Sequence, residues 1–199
     1  MAAPKSEVAM PERASLVILF AETRGFTRTS EMLQPSVVLA RVSEFFSLVR
    51  AAVERQGGIV RNVVNDTLMA SFAGKDNAQH AVQAAQEIQR EFIVFEESWE
   101  SDYGIRAAVA IGLHAGDVVF GVAGNPRPEP LIVGDGVSIA ERLLHLARAG
   151  EYLMSEPVMD VLRATGFALE AEKLPPLELP RREPIRLFGV LRDTRLDFT

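Results

Sequence analysis

A short apolar run that ends in Gly-Asp-Gly and passes directly into a helical pattern is the most constraining feature of the sequence. It covers residues 131–143, with the Gly-Asp-Gly turn at 134–136, and predicts strand, tight turn and helix. Ser138 and Arg142 are four residues apart, so they share one face of that helix. A hydroxyl and a guanidinium near a helix N-terminus suit a phosphate-bearing ligand. Taken alone, however, the segment is explained more simply as a helix start with a surface arginine.

Composition limits the function classes. With 199 residues, 48% of them hydrophobic, the chain can bury the core of one ordinary domain. A net charge of −6 without a basic run argues against a nucleic-acid partner. The absence of cysteine excludes disulfides and thiolate metal sites. No apolar stretch is long enough to span a bilayer, and the N-terminus lacks the apolar core of a signal peptide. We therefore expect a cytoplasmic protein with neither a membrane nor a nucleic acid as partner.

The order of apolar patterns predicts an α+β fold. A flexible tail is expected at 1–14, one domain at 15–193 and a C-terminal tail at 194–199. Strands are predicted at 16–21, 105–113, 117–123, 151–154, 167–171 and 185–191, and a hairpin at 59–72 that turns at Asn65-Asp66. Helices are predicted from Pro35 to the glycine pair at 57–58 and at 76–97, 136–149 and 156–164, with a connecting segment at 23–34. This alternation indicates an antiparallel-rich sheet with helices on one face.

Four blocks of sequence together carry a family resemblance. They are Phe-Ala-Glu-Thr-Arg-Gly-Phe-Thr at 20–27, the hairpin at 57–72, Gly-Leu-His-Ala-Gly-Asp at 112–117, and the segment at 131–143. In order and spacing they resemble the catalytic domain of class III adenylate and guanylate cyclases over about residues 15–192. The resemblance implies a ferredoxin-like antiparallel sheet with helices of the class III nucleotide cyclase type. It also implies a head-to-tail homodimer, a nucleoside triphosphate as ligand, and Mg²⁺ or Mn²⁺ as cofactor.

The metal ligands implied by the resemblance are Glu22 and Asp66. Two carboxylates on adjacent strands suit Mg²⁺ ions that activate a 3′-hydroxyl and neutralise a triphosphate. The family has aspartate at the first position, and the longer glutamate moves the ligand oxygens by about an ångström, which octahedral Mg²⁺ tolerates poorly. The alternative is that both are ordinary carboxylates at strand ends.

Two positions that read the nucleotide base in the family have different side chains in this sequence. Asn62 stands where the family has lysine, and Leu131 stands where it has a hydrogen-bonding residue. A binding site gains most of its base discrimination from such polar partners. The domain therefore either accepts another base or does not read one.

The resemblance also assigns catalytic and phosphate-contacting residues. Ser138 occupies the place of the asparagine that contacts the transition state, and it is shorter and lacks the amide donors. Arg142 keeps the family's transition-state arginine. The segment Arg24, Gly25, Phe26 and Thr27 is expected to line the nucleotide phosphates, although Arg24 equally suits a role in holding a turn. The three histidines, at 80, 114 and 145, lack metal-ligand spacing and are interpreted as structural or surface residues.

Two hypotheses from different classes follow. One is a degenerate cyclase domain with weak or no activity and a regulatory or nucleotide-binding role, and the substitutions at Glu22, Asn62, Leu131 and Ser138 favour it. The other is an active divergent cyclase that converts a nucleoside triphosphate to a cyclic nucleotide and pyrophosphate, and the retained Asp66 and Arg142 keep this hypothesis open. In either case a separate regulatory protein is a compatible partner.

Overall fold

The structure, a computed structural model, describes residues 12–123 and 129–192. It is a mixed α+β fold, as predicted. The strands are β1 (Glu12–Arg24), β2 (Ile59–Val64), β3 (Thr67–Phe72), β4 (Ala108–Ala123), β5 (Glu129–Val133), β6 (Glu151–Ser155), β7 (Glu172–Leu177) and β8 (Ile185–Leu191). The helices are α1 (Phe26–Met32), α2 (Pro35–Arg55), α3 (Asn77–Tyr103), α4 (Asp135–Leu146) and α5 (Glu156–Ala164).

All eight of these strands belong to one sheet. Seven follow the order β2-β3-β1-β4-β6-β8-β7, and β5 pairs with the distal half of β4. The pairing is antiparallel except between β4 and β6, which run parallel. Antiparallel pairing therefore dominates, and β1 and β4 form the centre of the sheet.

The central strand β1 is buried on both faces, which explains its continuous apolar run. Val17, Leu19 and Ala21 pack in a cluster with α2, α3 and α5. Leu16 and Ile18 point to the opposite face and pack against α4. The prediction of helices on one face is therefore wrong, because α4 covers the second face of the sheet.

The hairpin predicted at 105–113 and 117–123 is also wrong. Residues 108–123 form one uninterrupted strand, β4, which pairs with β1 along the full length of β1. Glycines within this strand allow α4 to lie close to the sheet. A Cβ atom on Gly112 would come within 2.3 Å of the Ala140 carbonyl oxygen and the Leu144 nitrogen. Gly116 lies in the same way beside Gly136, at the start of α4.

Smaller differences concern the ends of elements. The segment 23–34 contains α1 rather than only a connection, and α3 continues past residue 97 to Gly104, whose φ of 64° ends the helix. The strand predicted at 167–171 is wrong, because β7 begins at Glu172 and includes two prolines, which an edge strand tolerates. Residues 12–14 of the expected N-terminal tail belong to β1; the rest of that tail and the C-terminal tail at 194–199 lie outside the described residues.

The helices within 12–123 and 129–192 include none with the length and apolar character required to cross a membrane.

Candidate functional site

A cleft of about 630 Å³ opens where β1 ends, between the β2–β3 hairpin, β5 and α4. It brings together four residues that the resemblance singles out. These are Glu22, Asn62, Asp66 and Leu131. The other residues lining it are Phe20, Arg61, Val64, Asn65, Thr67, Met69, Ile132, Val137, Glu141, Leu144 and His145.

Glu22 lies on the same face of β1 as Phe20, two residues further along the strand. Its side chain is 17% exposed, and both carboxylate oxygens are engaged. Oε1 accepts a hydrogen bond from Arg24, and Oε2 accepts one of 3.0 Å from the Thr67 hydroxyl. The antiparallel register places Thr67 directly opposite Glu22, so the sheet itself positions this contact.

Asp66 lies in the two-residue turn between β2 and β3, as predicted. The preceding Asn65 adopts a left-handed φ of 54°, a conformation that asparagine tolerates better than most residues. Asp66 Oδ2 accepts a 3.3 Å hydrogen bond from the Thr23 hydroxyl. Burial is the main cause that raises the pKa of Asp66, and the negative charge of Glu22 raises it further.

The two carboxylates fit a divalent cation that is completed by a ligand. Hard cations such as Mg²⁺ commonly take one or two protein carboxylates together with substrate phosphates. Within 12–123 and 129–192 no group of three or more acidic, histidine or cysteine side chains is arranged to hold a metal by itself. The negative charge of Glu22 contributes to the raised pKa of Asp66, as expected for two carboxylates close together, and a bound cation would relieve their repulsion.

Arg24 turns away from solvent and toward the end of α4. In addition to Glu22, it donates hydrogen bonds from one terminal nitrogen to the carbonyl oxygens of Leu144, at 2.6 Å, and Ala147, at 3.0 Å. These carbonyls lie at the C-terminal end of the helix, where cationic partners are favourable. The guanidinium is therefore already used within the domain.

Gly25 to Thr27 are not among the residues that line the cleft. Gly25 has a φ of 93° just before α1, and a Cβ atom there would lie 2.8 Å from the Arg106 carbonyl oxygen. Its conformation thus explains why glycine is needed. The assignment of Gly25, Phe26 and Thr27 to phosphate binding stays a prediction.

The base-reading positions lie at the rim of the cleft. Asn62 is exposed, and its Oδ1 accepts a 2.8 Å hydrogen bond from the backbone nitrogen of Val63. Leu131 is 48% exposed, so a large apolar side chain faces the opening. Neither residue reproduces the polar pair that the resemblance implies at these positions.

Sequence reasoning missed three ionisable residues in the cleft lining. Glu141 and His145 are four residues apart on α4, and helical spacing from Val137 was the signal that could have revealed them. Arg61 was missed because its contacts are distant in sequence. Its Nε donates a 2.7 Å hydrogen bond to the Ser71 hydroxyl, and its guanidinium lies 4.9 Å from the centre of the Phe120 ring.

Ser138 and Arg142 lie on α4 but do not line the cleft. Both are exposed, and neither is among the residues around this opening, although helical spacing places Ser138 on nearly the same side of α4 as His145. The structure therefore does not bring them to the carboxylates of the same chain. Their catalytic assignment stays a prediction that requires a second chain.

The histidines occupy separate places in the fold. His114 is buried, and its Nδ1 lies 2.7 Å from the Ser155 hydroxyl oxygen. Burial lowers the pKa of His114 to about 4. His80 lies in α3, and His145 is exposed at the cleft.

Comparison with known proteins identifies the family of this chain. The adenylate and guanylate cyclase catalytic domain family matches residues 8–188. An adenylate cyclase of Anabaena cylindrica is 29% identical over 146 residues, which are 71% of this chain and 29% of the relative. Retinal guanylyl cyclase 2 of Bos taurus is 29% identical over 168 residues, which are 81% of this chain and 15% of the relative. The chain thus spans less than a third of these curated relatives.

Solved structures share the fold. The adenylyl cyclase CyaB of P. aeruginosa superposes with a TM-score of 0.83 at 21% identity, covering 94% of this chain and 98% of that one. The guanylate cyclase domain of RhGC from Catenaria anguillulae, solved in complex with GTP, gives 0.77 at 20% identity, covering 89% and 97%. Fold, motif order and family match agree, and the chain belongs to the adenylate and guanylate cyclase catalytic domain family.

Proposed function

We propose that this domain binds a nucleoside triphosphate together with Mg²⁺ or Mn²⁺ at a site formed by two copies of the chain, and that it cyclises ATP and GTP weakly or not at all. The observation that carries the proposal is the composition of the cleft. Two adjacent carboxylates, Glu22 and Asp66, lie beside a rim where the half-exposed Leu131 replaces a base-reading polar group. Such a domain suits a nucleotide-binding or regulatory role in cyclic-nucleotide signalling, under the control of a separate protein.

The roles of the residues follow from their chemistry. Glu22 and Asp66 would hold the divalent cation, which when bound supplies charge neutralisation and lowers the pKa of the 3′-hydroxyl. Arg142 of the second copy would neutralise charge that develops on the phosphates, since a positioned cation is most useful where charge appears in the transition state. Ser138, beside it, retains a single hydroxyl for the same region.

Low turnover follows from the sum of the substitutions. Loss of one positioned hydrogen-bond donor costs about a hundredfold or more in rate. Asn62 and Leu131 weaken positioning of the base, and Ser138 shortens a contact to the phosphates. Glu22 carries an extra methylene, and its two oxygens are already engaged by Arg24 and Thr67. These losses need not add, but together they leave little catalysis.

An active divergent cyclase is the second candidate. The retained Asp66 and Arg142 favour it, as do the three ionisable cleft residues Arg61, Glu141 and His145. In that case these three would have to supply the base recognition that Leu131 lacks.

The decisive experiment measures cyclic products. Purified protein is incubated with Mn²⁺ and ATP, GTP, CTP or UTP in turn, because Mn²⁺ tolerates imperfect coordination better than Mg²⁺. We expect little or no cyclic AMP or cyclic GMP. The combined variant Glu22→Asp, Asn62→Lys, Leu131→Asp and Ser138→Asn should raise turnover. Robust turnover of ATP or GTP by the unmodified protein would contradict the proposal and favour the second candidate.

The metal site is tested by binding rather than activity. Asp66→Ala should abolish Mn²⁺-dependent binding of a non-hydrolysable ATP analogue, measured by calorimetry. Asp160→Ala, an exposed acidic residue on α5, is the matched control and should bind as the unmodified protein does. Unchanged binding in folded Asp66→Ala would exclude these carboxylates as the metal site.

Assembly is tested in solution. Exposed apolar side chains surround the cleft, with Val64 54%, Leu131 48% and Val133 47% exposed, and a second copy would cover them. We expect a two-fold homodimer by light scattering at micromolar concentration. A monomer under these conditions would count against a shared site.

A further inference from the structure

We propose that Arg24 is the resident counter-ion of the carboxylate pair in the metal-free domain, and that a divalent cation must displace it and thereby loosen the end of α4. This inference rests on the proposed metal site. It assigns to Arg24 a positioning role between that site and the helix that carries Ser138 and Arg142.

The geometry of Arg24 supports two simultaneous functions. One terminal nitrogen donates to Glu22 Oε1, and the other donates to the carbonyl oxygens of Leu144 and Ala147. The planar guanidinium is suited to such a fork, whereas a lysine ammonium provides only a point charge on a flexible stem. Because the side chains of Arg24 and Glu22 are only 23% and 17% exposed, solvent screens this pair less than a surface pair.

The charges around the site favour competition between Arg24 and a metal. Glu22 and Asp66 line the same cleft, where the Thr23 hydroxyl donates to Asp66 and the Thr67 hydroxyl donates to Glu22, and Arg24 pairs with Glu22 at this point. A divalent cation held by the two carboxylates would stand beside the guanidinium and repel it. Glu22 Oε2 is held by the neutral hydroxyl of Thr67, so Arg24 is the cation that the metal replaces at this carboxylate.

Displacement of Arg24 has a consequence for α4. The carbonyl oxygens of Leu144 and Ala147 belong to the last turn of the helix and to the residue that follows it, where intrahelical donors run out. If the guanidinium leaves, these oxygens lose their side-chain donor. The last turn of α4 should then exchange its amide protons faster, although no residue of α4 contacts the metal in this scheme.

The first measurement is the affinity of the protein for Mn²⁺ without nucleotide. Electron paramagnetic resonance detects the free ion and so gives the amount bound. Arg24→Gln should bind Mn²⁺ about fivefold more tightly than the unmodified protein, the size of one partly exposed charge interaction. Arg24→Lys keeps the charge and should stay within about twofold of it. Arg163→Gln, which removes an exposed arginine on α5, is the matched control and should change nothing.

The second measurement is hydrogen exchange of the unmodified protein with and without Mn²⁺. Amides at 143–149 should exchange faster when Mn²⁺ is bound, and those at the end of α5, 160–166, should not change. Arg24→Lys should lose this response while it keeps its affinity. This measurement decides the question even if Arg24→Gln does not fold.

The outcomes separate the two proposals. Equal or weaker Mn²⁺ binding by folded Arg24→Gln, with clear binding by the unmodified protein, overturns the counter-ion role and leaves the metal site standing. Unchanged exchange at 143–149 in Mn²⁺-bound protein overturns the coupling to α4. Failure of the unmodified protein and of Arg24→Gln alike to bind Mn²⁺ overturns the metal site and this inference together.

Discussion

The two faces of β1 differ in how far their apolar character extends. On the face toward α2 and α3, Val17, Leu19 and Ala21 are fully buried in the larger apolar cluster. On the face toward α4, the last apolar residue is Phe20, and the next two side chains on that face are the charged Glu22 and Arg24. One strand therefore supplies the core on both sides but chemically active groups on only one. The charged side chains of β1 lie where α4 no longer covers the sheet and the cleft begins.

This difference predicts that residues on the two faces of β1 affect different properties of the protein. Substitutions on the α2 and α3 face should cost folding free energy without changing the chemistry of the cleft. Substitutions on the α4 face should alter charge, titration and ligand binding. Three experiments test that division, in order of decreasing expected effect.

The largest effect is expected in the α2 and α3 cluster. Phe92 is fully buried and meets Phe45 edge to face, with ring centres 6.0 Å apart. Phe92→Ala should lower the free energy of unfolding by about 3–5 kcal/mol through lost burial and the cavity left behind. Denaturant unfolding measures this. Val94→Ala on the same helix, where the side chain is 69% exposed, should change it by less than about 0.5 kcal/mol.

The next effect is an acid-dependent loss of stability on the α4 face. His114 is opposite Ile18 in the sheet, and burial lowers its pKa to about 4, below its ordinary value. As the pH falls, the unfolded chain therefore takes up this proton before the folded chain does. The free energy of unfolding consequently has its full value, as far as His114 is concerned, above pH 6.5 and decreases as the pH falls toward 4. Roughly 3 kcal/mol should be lost across this range.

Denaturant unfolding at pH 7.5 and pH 4.5 checks the role of His114. His114→Asn should show a smaller loss between these pH values, and the exposed His145→Asn should behave as the unmodified protein does. An equal acid loss in all three proteins would assign the effect to other groups.

The smallest effect concerns Asp66 in the metal-free protein. Its raised pKa means that the folded state favours the protonated carboxyl. The contribution of Asp66 to the free energy of unfolding therefore falls as the pH rises through the raised pKa. Asp66→Asn should therefore raise the melting temperature slightly at pH 7 and abolish the further rise caused by Mn²⁺. A lower melting temperature would indicate that the carboxylate stabilises the fold. The exposed Asp160→Asn serves as the control.

Much of the fold was predictable because local signals agree with it. Pro35 and helical spacing located α2, and Asn65-Asp66 located the hairpin turn at the cleft. The single long strand β4 was not predictable, because a glycine needed for close packing against α4 has the same sequence signature as a turn glycine. Whether such a glycine marks a turn or a packing contact depends on α4, which comes later in the chain.

The candidate site was predictable only in part for a similar reason. The positions of Glu22, Asp66, Asn62 and Leu131 came from motif spacing, and the structure gathers them in one cleft. The two carbonyl groups that Arg24 contacts at the end of α4 are more than a hundred residues away, so no local pattern reveals that this side chain is already bound to α4. Contacts of this kind arise from tertiary packing, and sequence periodicity carries no information about them.

The position of β1 at the centre of the sheet also affects how the chain folds during synthesis. Leu19 pairs with Ala70 on one side and with Leu113 on the other. The β3 pairing can form once the hairpin has left the ribosome, but the β4 pairing must wait until the strand at 108–123 has emerged. Until then the first strand has an unpaired edge and an uncovered α4 face, and long-range pairings of this kind slow folding. Nascent chains that stall before β4 should therefore be the form of this protein most in need of chaperones.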